Sequence, residues 1–306
     1  MSTDALVTLN GPTMGTRWSA RLASRHASPD LTAALQDVVD AVDRQMSTWR
    51  NDSDLMRLNA AVPGAWVDVG AELIVVLAIS AEVTAASDGA FDIGVGEAVT
   101  AWGFGAAEAQ TDESAIRAAL GHQLRAQVES NAGAGRARRL NERRLDLSGV
   151  AKGFAVDQMA QVLRQRNVPD FLAGLDGEII ASGQRPDGRP WAVALEEPVP
   201  CRRAARGVIE VTGCALATSG DYRHRVKFGA DWLSHTMDPR SGAPVRNRIA
   251  SVTVLAHDCV RADAWATALM VLGEIDGPIL ARARGLEAIF LIREGTGLRE
   301  VSTLQG

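Results

Sequence analysis

The chain has 306 residues, 46% of them hydrophobic and 23% charged, which allows a sizeable core and argues against a disordered chain. A formal net charge of -5 leaves no overall basic footprint for nucleic acid. Cys201, Cys214 and Cys259 are widely spaced and form neither a CxxC pair nor a zinc pattern, so structural, reduced thiols are expected.

In chain order, Met1 to Asn10 carries no basic n-region, apolar run and cleavage site, and no segment reads as long and apolar enough to span a bilayer. The expected compartment is the cytoplasm, or the periplasm where a leader has been removed. Residues 15 to 22 alternate as an opening strand should. Leu31, Leu35, Val38, Val39, Val42 and Met46 then recur on one helical face, predicting a helix that ends near Ser47-Thr48. A second helix carries Leu73, Val76, Leu77, Ile79 and Val83 and stops before Ser87-Asp-Gly89. A shorter one lies around Ile116 to Leu120, with N-cap candidates in Thr111-Asp-Glu-Ser114.

Strand-like runs follow at 126–129, 144–147, 171–174, 191–195, 208–211, 251–255 and 288–292. Between them, Asn131-Ala-Gly-Ala-Gly-Arg136 reads as a connection without interleaved aromatics. Arg136, Arg138, Arg139, Arg143 and Arg144 are therefore read as solvating a loop and strand edge rather than as a nucleic-acid patch. Helices and strands intersperse without one helix after every strand, which predicts an α+β fold with mixed or antiparallel sheets and packed helices. No linker rich in proline or serine divides the chain, so residues 1–306 are read as a single catalytic unit.

Several stretches carry candidate chemistry. In Asp146-Leu-Ser-Gly-Val-Ala-Lys-Gly153 the P-loop spacing G-x-x-x-x-G-K-[ST] is absent. The local pattern is a strand ending at Leu147, a small-residue turn, and a helix with Ala155, Met159, Val162 and Leu163 on one face. Free N–H groups and the helix dipole would favour phosphate near Gly149 to Lys152; a solvated lysine beside a tight turn is the competing reading. Asp263 and Thr267 stand four apart on one helix face, a carboxylate and a hydroxyl suited to magnesium, or else a helix-start aspartate with an incidental threonine. His235, in Ser234-His-Thr-Met-Asp-Pro-Arg-Ser-Gly242, is either a general base near neutral pH or a structural hydrogen-bonding group. Gly89-Ala-Phe-Asp-Ile-Gly-Val-Gly96 and Trp102-Gly-Phe-Gly105 suit either the approach of a flat ligand or a tightly packed turn.

Taken together and in order, these blocks resemble the ApbE-type flavin transferases, the FAD:protein FMN transferases. The resemblance runs through Thr13-Met-Gly-Thr16, Met46-Ser-Thr-Trp49, Ser53-Asp-Leu-Met-Arg-Leu-Asn59, Gly89-Ala-Phe-Asp92 and Trp102-Gly-Phe-Gly105. It continues through Asp146 to Gly153, Thr218-Ser-Gly-Asp-Tyr222, Ser234-His-Thr-Met-Asp-Pro239 and Ala262-Asp-Ala-Trp-Ala-Thr267. It implies a T-fold-like, two-lobed α+β unit. FAD contacts are implied at Met14, Trp49, Ala90, Phe91, Asp92, Asp146, Lys152 and Thr236, with magnesium held by the Gly149 carbonyl, Asp263 and Thr267 and His235 as base. The activity it implies is Mg-dependent transfer of the FMN moiety of FAD to a Thr or Ser of an acceptor flavoprotein, releasing AMP. FAD hydrolysis to FMN and AMP, or FAD storage without chemistry, are the alternatives. Trp49 stands where the family usually has tyrosine. In Gly174-Leu-Asp-Gly-Glu178, Asp176 stands where a glycine is usual, which leaves Glu178 without an assigned role.

Overall fold

The β1 strand, Leu6–Thr13, turns through Met14 and Gly15 into β2, Thr16–Ala23, in an antiparallel hairpin. Both turn residues have positive φ, 45° and 71°, as a tight turn matched to strand twist requires. The computed structural model describes residues 4–104, 113–120, 125–199, 204–222, 225–228 and 231–305; Gly105, Thr111, Asp112 and Cys201 lie outside them. The chain continues through helices α1 (Pro29–Met46), α2 (Asp54–Ala60), α3 (Ala71–Ala86), α4 (Gly96–Ala101) and α5 (Glu113–Ala119), with β3 (Val67–Asp68) between α2 and α3. Strands β4 (Val128–Asn131) and β5 (Arg136–Arg139) precede α6 (Ala151–Gln165). Then come β6 (Phe171–Leu175), β7 (Glu178–Ser182), β8 (Trp191–Glu196), β9 (Ala205–Val211) and β10 (Ala215–Gly220). Short strands β11 (Arg225–Phe228), β12 (Asp231–Ser234), β13 (Met237–Asp238) and β14 (Ala243–Pro244) lead to β15 (Ile249–Ala256), α7 (Cys259–Arg284), β16 (Glu287–Glu294) and β17 (Gly297–Ser302).

The main sheet has eight strands in the order β1-β2-β6-β7-β10-β15-β16-β17, and every neighbouring pair is antiparallel. One face carries α1, α6 and α7, which pack on one another and on the strands beneath them. The period of two along β6 divides the faces: Phe171, Ala173 and Leu175 enter the helix-side core, whereas Leu172 joins a cluster under the β8–β9 hairpin with fully buried Trp191. A separate small core unites α4 and α5 with β12 and β13, through Ala98, Trp102, Ile116, Leu233 and Met237.

Local chemistry accounts for the helix boundaries. Ser28 caps α1 by accepting from the Leu31 N–H, Pro29 occupies the first helical position, and Ser53 caps α2 from the Met56 N–H. Gly273, at φ 83° and ψ -172°, divides α7 into two helical halves. Asn247 stands behind it and donates from Nδ2 to the Met270 carbonyl at 2.7 Å, supplying a partner that the break would otherwise remove.

Three sequence expectations change. Residues 144–147 form no strand. Leu145 exchanges both backbone hydrogen bonds with the side-chain amide of Asn59, at 2.8 Å each, and Asp146 N–H donates to the Ile93 carbonyl. A side chain and a short turn thus take the place of a neighbouring strand. Second, α7 is long and apolar enough by composition to cross a membrane, where the sequence was read as holding no such segment; most of its apolar residues pack against α6, β10, β15 and β16, while Ile275 and Ile279 are exposed. Third, an aromatic does stand among the arginines: Arg136 and Arg138 lie 4.7 and 4.5 Å from the Trp66 ring centre. Arg139 is buried and donates to the carbonyls of Leu58, Asn59, Ala61, Asn141 and Arg143, tying α2 to the loop that leads into α6.

Candidate functional site at one edge of the main sheet

Strand register gathers the candidate residues. Trp18 of β2 pairs with Leu175 of β6, so the Met14–Gly15 turn and the Asp176–Gly177 turn lie at the same edge of the sheet. A Cβ at Gly177 would come within 3.5 Å of the Thr218 carbonyl, which brings the end of β10 to that edge as well. From β10, Ser219 Oγ lies 3.2 Å from Thr267 Oγ1 on α7.

The turn before α6 closes against this edge. A Cβ at Gly149 would lie 3.0 Å from Thr267 Oγ1 and 3.4 Å from Phe91 Cε2, and one at Gly153 would lie 2.8 Å from Asp263 Cβ. Only small residues allow this approach, which explains the composition of the Gly149 to Gly153 stretch. Val150 at the N-cap of α6 provides no side-chain cap. Gly153 N–H donates to Asp263 Oδ2 at 3.0 Å. Among the described residues no N–H donates to the Gly149 carbonyl. This helix start therefore keeps polar backbone capacity that a helix terminus normally satisfies.

The charges are unbalanced. Lys152 Nζ lies 2.8 Å from Glu178 Oε1 and 3.7 Å from Asp176 Oδ2, while Glu178 Oε2 accepts from Gly177 N–H at 3.1 Å. Burial works against the Lys152 ammonium, but the charges of Glu178, Asp263 and Asp176 outweigh it and hold its pKa well above the usual lysine range. Burial, followed by the charge of Glu178, pushes the Asp263 carboxyl far above the usual carboxylate range, against Lys152 and the Gly153 N–H. One ammonium thus faces three carboxylates. A hard cation fits this donor set, because Asp263, Thr267 and the Gly149 turn offer only oxygen ligands and the cluster is short of positive charge. Among the described residues there is no group of three or more His, Cys, Asp or Glu arranged to hold a metal. The oxygen set here has a single carboxylate and is completed by a hydroxyl and a backbone carbonyl.

The other predicted residues occupy varied settings. Phe91 and Ala90 are buried, with Phe91 N–H on Ser87 Oγ. Asp92 Oδ1 accepts from Gly94 and Ala126 N–H groups at 2.8 and 2.9 Å, and burial raises its pKa. Asp146 is buried and accepts from the Ser148 N–H at 2.8 Å, shaping the turn. Met14 packs on the core, and beside it the Thr13 hydroxyl is buried without a protein partner. Trp49, after α1, is 72% exposed. His235 belongs to the smaller core region, its ring 6.5 Å edge-on from Phe104. Thr236 is buried, with its N–H on Ser234 Oγ.

Glu178, Asp176 and Ser219 join the site without having been assigned to it from sequence. The signal for Glu178 was present in the Asp-Gly turn before it, but its partner Lys152 is 26 residues away, beyond any local pattern.

The antiparallel sheet with helices on one face brings the α6 start, Lys152 and the oxygen donors of Asp263 and Thr267 together, a donor set whose chemistry suits an anionic ligand and a hard cation. The chain belongs to the ApbE family, whose model matches residues 14–290. A relative from Vibrio cholerae named FAD:protein FMN transferase is 34% identical over 307 residues, covering 97% of this chain and 90% of its own. One of the same name from Klebsiella pneumoniae is 32% identical, covering 95% and 85%. Among solved structures, the flavin transferase ApbE from Vibrio cholerae superposes with a TM-score of 0.86 at 33% identity, over 98% of this chain and 97% of that one. The apo flavinyl transferase ApbE of Pseudomonas stutzeri gives 0.84 at 34% identity, over 98% and 95%.

Proposed function

We propose that this chain is a flavin transferase that moves the FMN moiety of FAD onto a Thr or Ser hydroxyl of an acceptor flavoprotein and releases AMP, with magnesium as cofactor. The observation that carries this reading is the meeting of the α6 start, the Lys152 ammonium and the oxygen donors of Asp263 and Thr267 at one sheet edge. The family membership and the names of its relatives support the flavin substrate.

In this reading the α6 N-terminus and Lys152 bind and orient the FAD diphosphate. Phe91 and Met14 supply apolar contact. Asp263, Thr267 and the Gly149 carbonyl would hold magnesium. When bound, the ion neutralises charge developing on the diphosphate oxygens. The acceptor hydroxyl oxygen attacks the phosphorus on the FMN side, His235 takes its proton, the bridging P–O bond breaks and AMP departs. Most of the catalysis comes from positioning and charge, as expected for phosphoryl transfer.

The test incubates the protein with FAD, magnesium and candidate acceptor flavoproteins, following AMP release and covalent flavin fluorescence on a denaturing gel. A fluorescent acceptor band with AMP is the expected result. AMP without a band in the presence of a competent acceptor would replace transfer by hydrolysis. H235A is expected to retain FAD binding and to slow transfer by about 100-fold, the usual worth of a general base; a wild-type rate would remove His235 from that role.

A further inference from the structure

Asp176 occupies a two-residue turn, Asp176-Gly177, between paired Leu175 and Glu178. Its φ is 58°, a left-handed conformation that glycine adopts without cost and that asparagine and aspartate adopt readily. Glu178 is the fixed counter-ion of Lys152: it is 2% exposed and bonded to both Nζ and the Gly177 N–H. The Asp176 side chain is 25% exposed and stands farther away, at 3.7 Å. Lys152 is therefore neutralised by the buried partner before Asp176 is counted, and Asp176 adds a further negative charge beside the ammonium.

From this geometry we infer that Asp176 is an affinity-setting residue that competes with the ligand's diphosphate for Lys152. The inference rests on the reading of Lys152 as a diphosphate contact. A bound diphosphate must meet Lys152 in the presence of a like charge from Asp176, and the carboxylate must turn away or be tolerated. Either outcome weakens binding of substrate and of any product that retains phosphate at this position. The wild-type chain thus trades ground-state affinity for release. Because the group is partly exposed, the effect is moderate and salt-sensitive.

The test measures binding of FAD and of ADP, with and without magnesium, to the wild type, D176G and D176N, together with thermal unfolding of each. Both variants suit the turn. The expected result is unchanged folding and FAD and ADP binding about 3- to 10-fold tighter at low salt, with the gain shrinking at high salt. KM for FAD should fall by a similar factor while kcat stays level or drops. Wild-type affinity in both variants overturns the inference. So does weaker binding only when magnesium is present, which makes Asp176 a contributor to the cation site. The variant-to-wild-type ratio for ADP judges the inference by itself. Failure of the wild type to bind FAD while it still binds ADP removes the flavin reading and leaves the inference standing or falling on that ratio.

Discussion

The α6 and α7 helices, packed on each other in the core, begin in different ways. At the start of α7, Asp258 caps by accepting from the Arg261 N–H, and Asp157 reaches across from α6 to accept from the Cys259 and Val260 N–H groups at 2.8 and 2.9 Å. The protein supplies the anions there, and the terminus is closed. At the start of α6 the N-cap is Val150, which accepts nothing with its side chain; the Gly153 N–H is met from α7 by Asp263 Oδ2 at 3.0 Å, and the charged side chain that α6 itself supplies there is a lysine. The same helix-terminus physics holds at both ends. One terminus is closed by two aspartates; the other has a single carboxylate on the Gly153 N–H and a lysine beside it, which suits the anionic ligand proposed above.

The largest effect should come from breaking the open end at its cation side. D263N keeps an acceptor for the Gly153 N–H but removes the charge, so the fold should persist while Mg-dependent turnover falls on the order of 100-fold or more. Unchanged turnover with magnesium would sink the metal assignment. Next is the anion side. K152M should raise KM for FAD by about 10- to 100-fold, the worth of one charge-assisted hydrogen bond, and should lower stability by leaving Glu178 buried without its ammonium. K152M/E178Q should recover the stability and leave KM high; recovery of both in steady-state kinetics would make Lys152 a structural residue only.

The contrast between these helix starts was half legible in the sequence. The α1 and α3 helices appear in the recurrence of Leu35, Val39 and Val42, and of Leu73, Val76 and Val83, because each packs a continuous face on the core. The small residues around Lys152 announced a close approach, and Gly149 against Thr267 supplies its reason. Local patterns failed where a distant group decided the outcome. Leu145 is held by the side chain of Asn59 instead of a neighbouring strand, and Arg139 is buried because five carbonyls converge on it. The β1 strand and α2 were also missed: β1 takes its place from pairing with β2, and α2 follows a polar run whose Ser53 is a cap. The closed end of α7 was invisible for the same reason, since Asp157 lies 102 residues from the Cys259 N–H it accepts.

That closed end yields the smallest effect, and it is read from pH. Burial lifts the Asp157 carboxyl from 3.8 to about 6, outweighing the two N–H donors. The folded chain then binds more protons than the unfolded one between about pH 4 and about pH 6, and this contribution to stability grows as pH falls through that window. It is absent in D157N, which does not titrate. The stability of the wild type relative to D157N, followed by urea unfolding from pH 7 down to pH 4, should therefore rise toward acid and stay level above about pH 7. At neutral pH D157N should shift stability by only about 1 kcal/mol, since an amide oxygen still accepts from one of the two N–H groups. Turnover should be near wild type, because Asp157 is not among the residues proposed to bind FAD or magnesium. A relative stability that instead falls toward acid would mean that the N–H groups and the helix terminus hold the carboxylate low. The α7 start would then be as strong an anion site as the open one, with the anion built in.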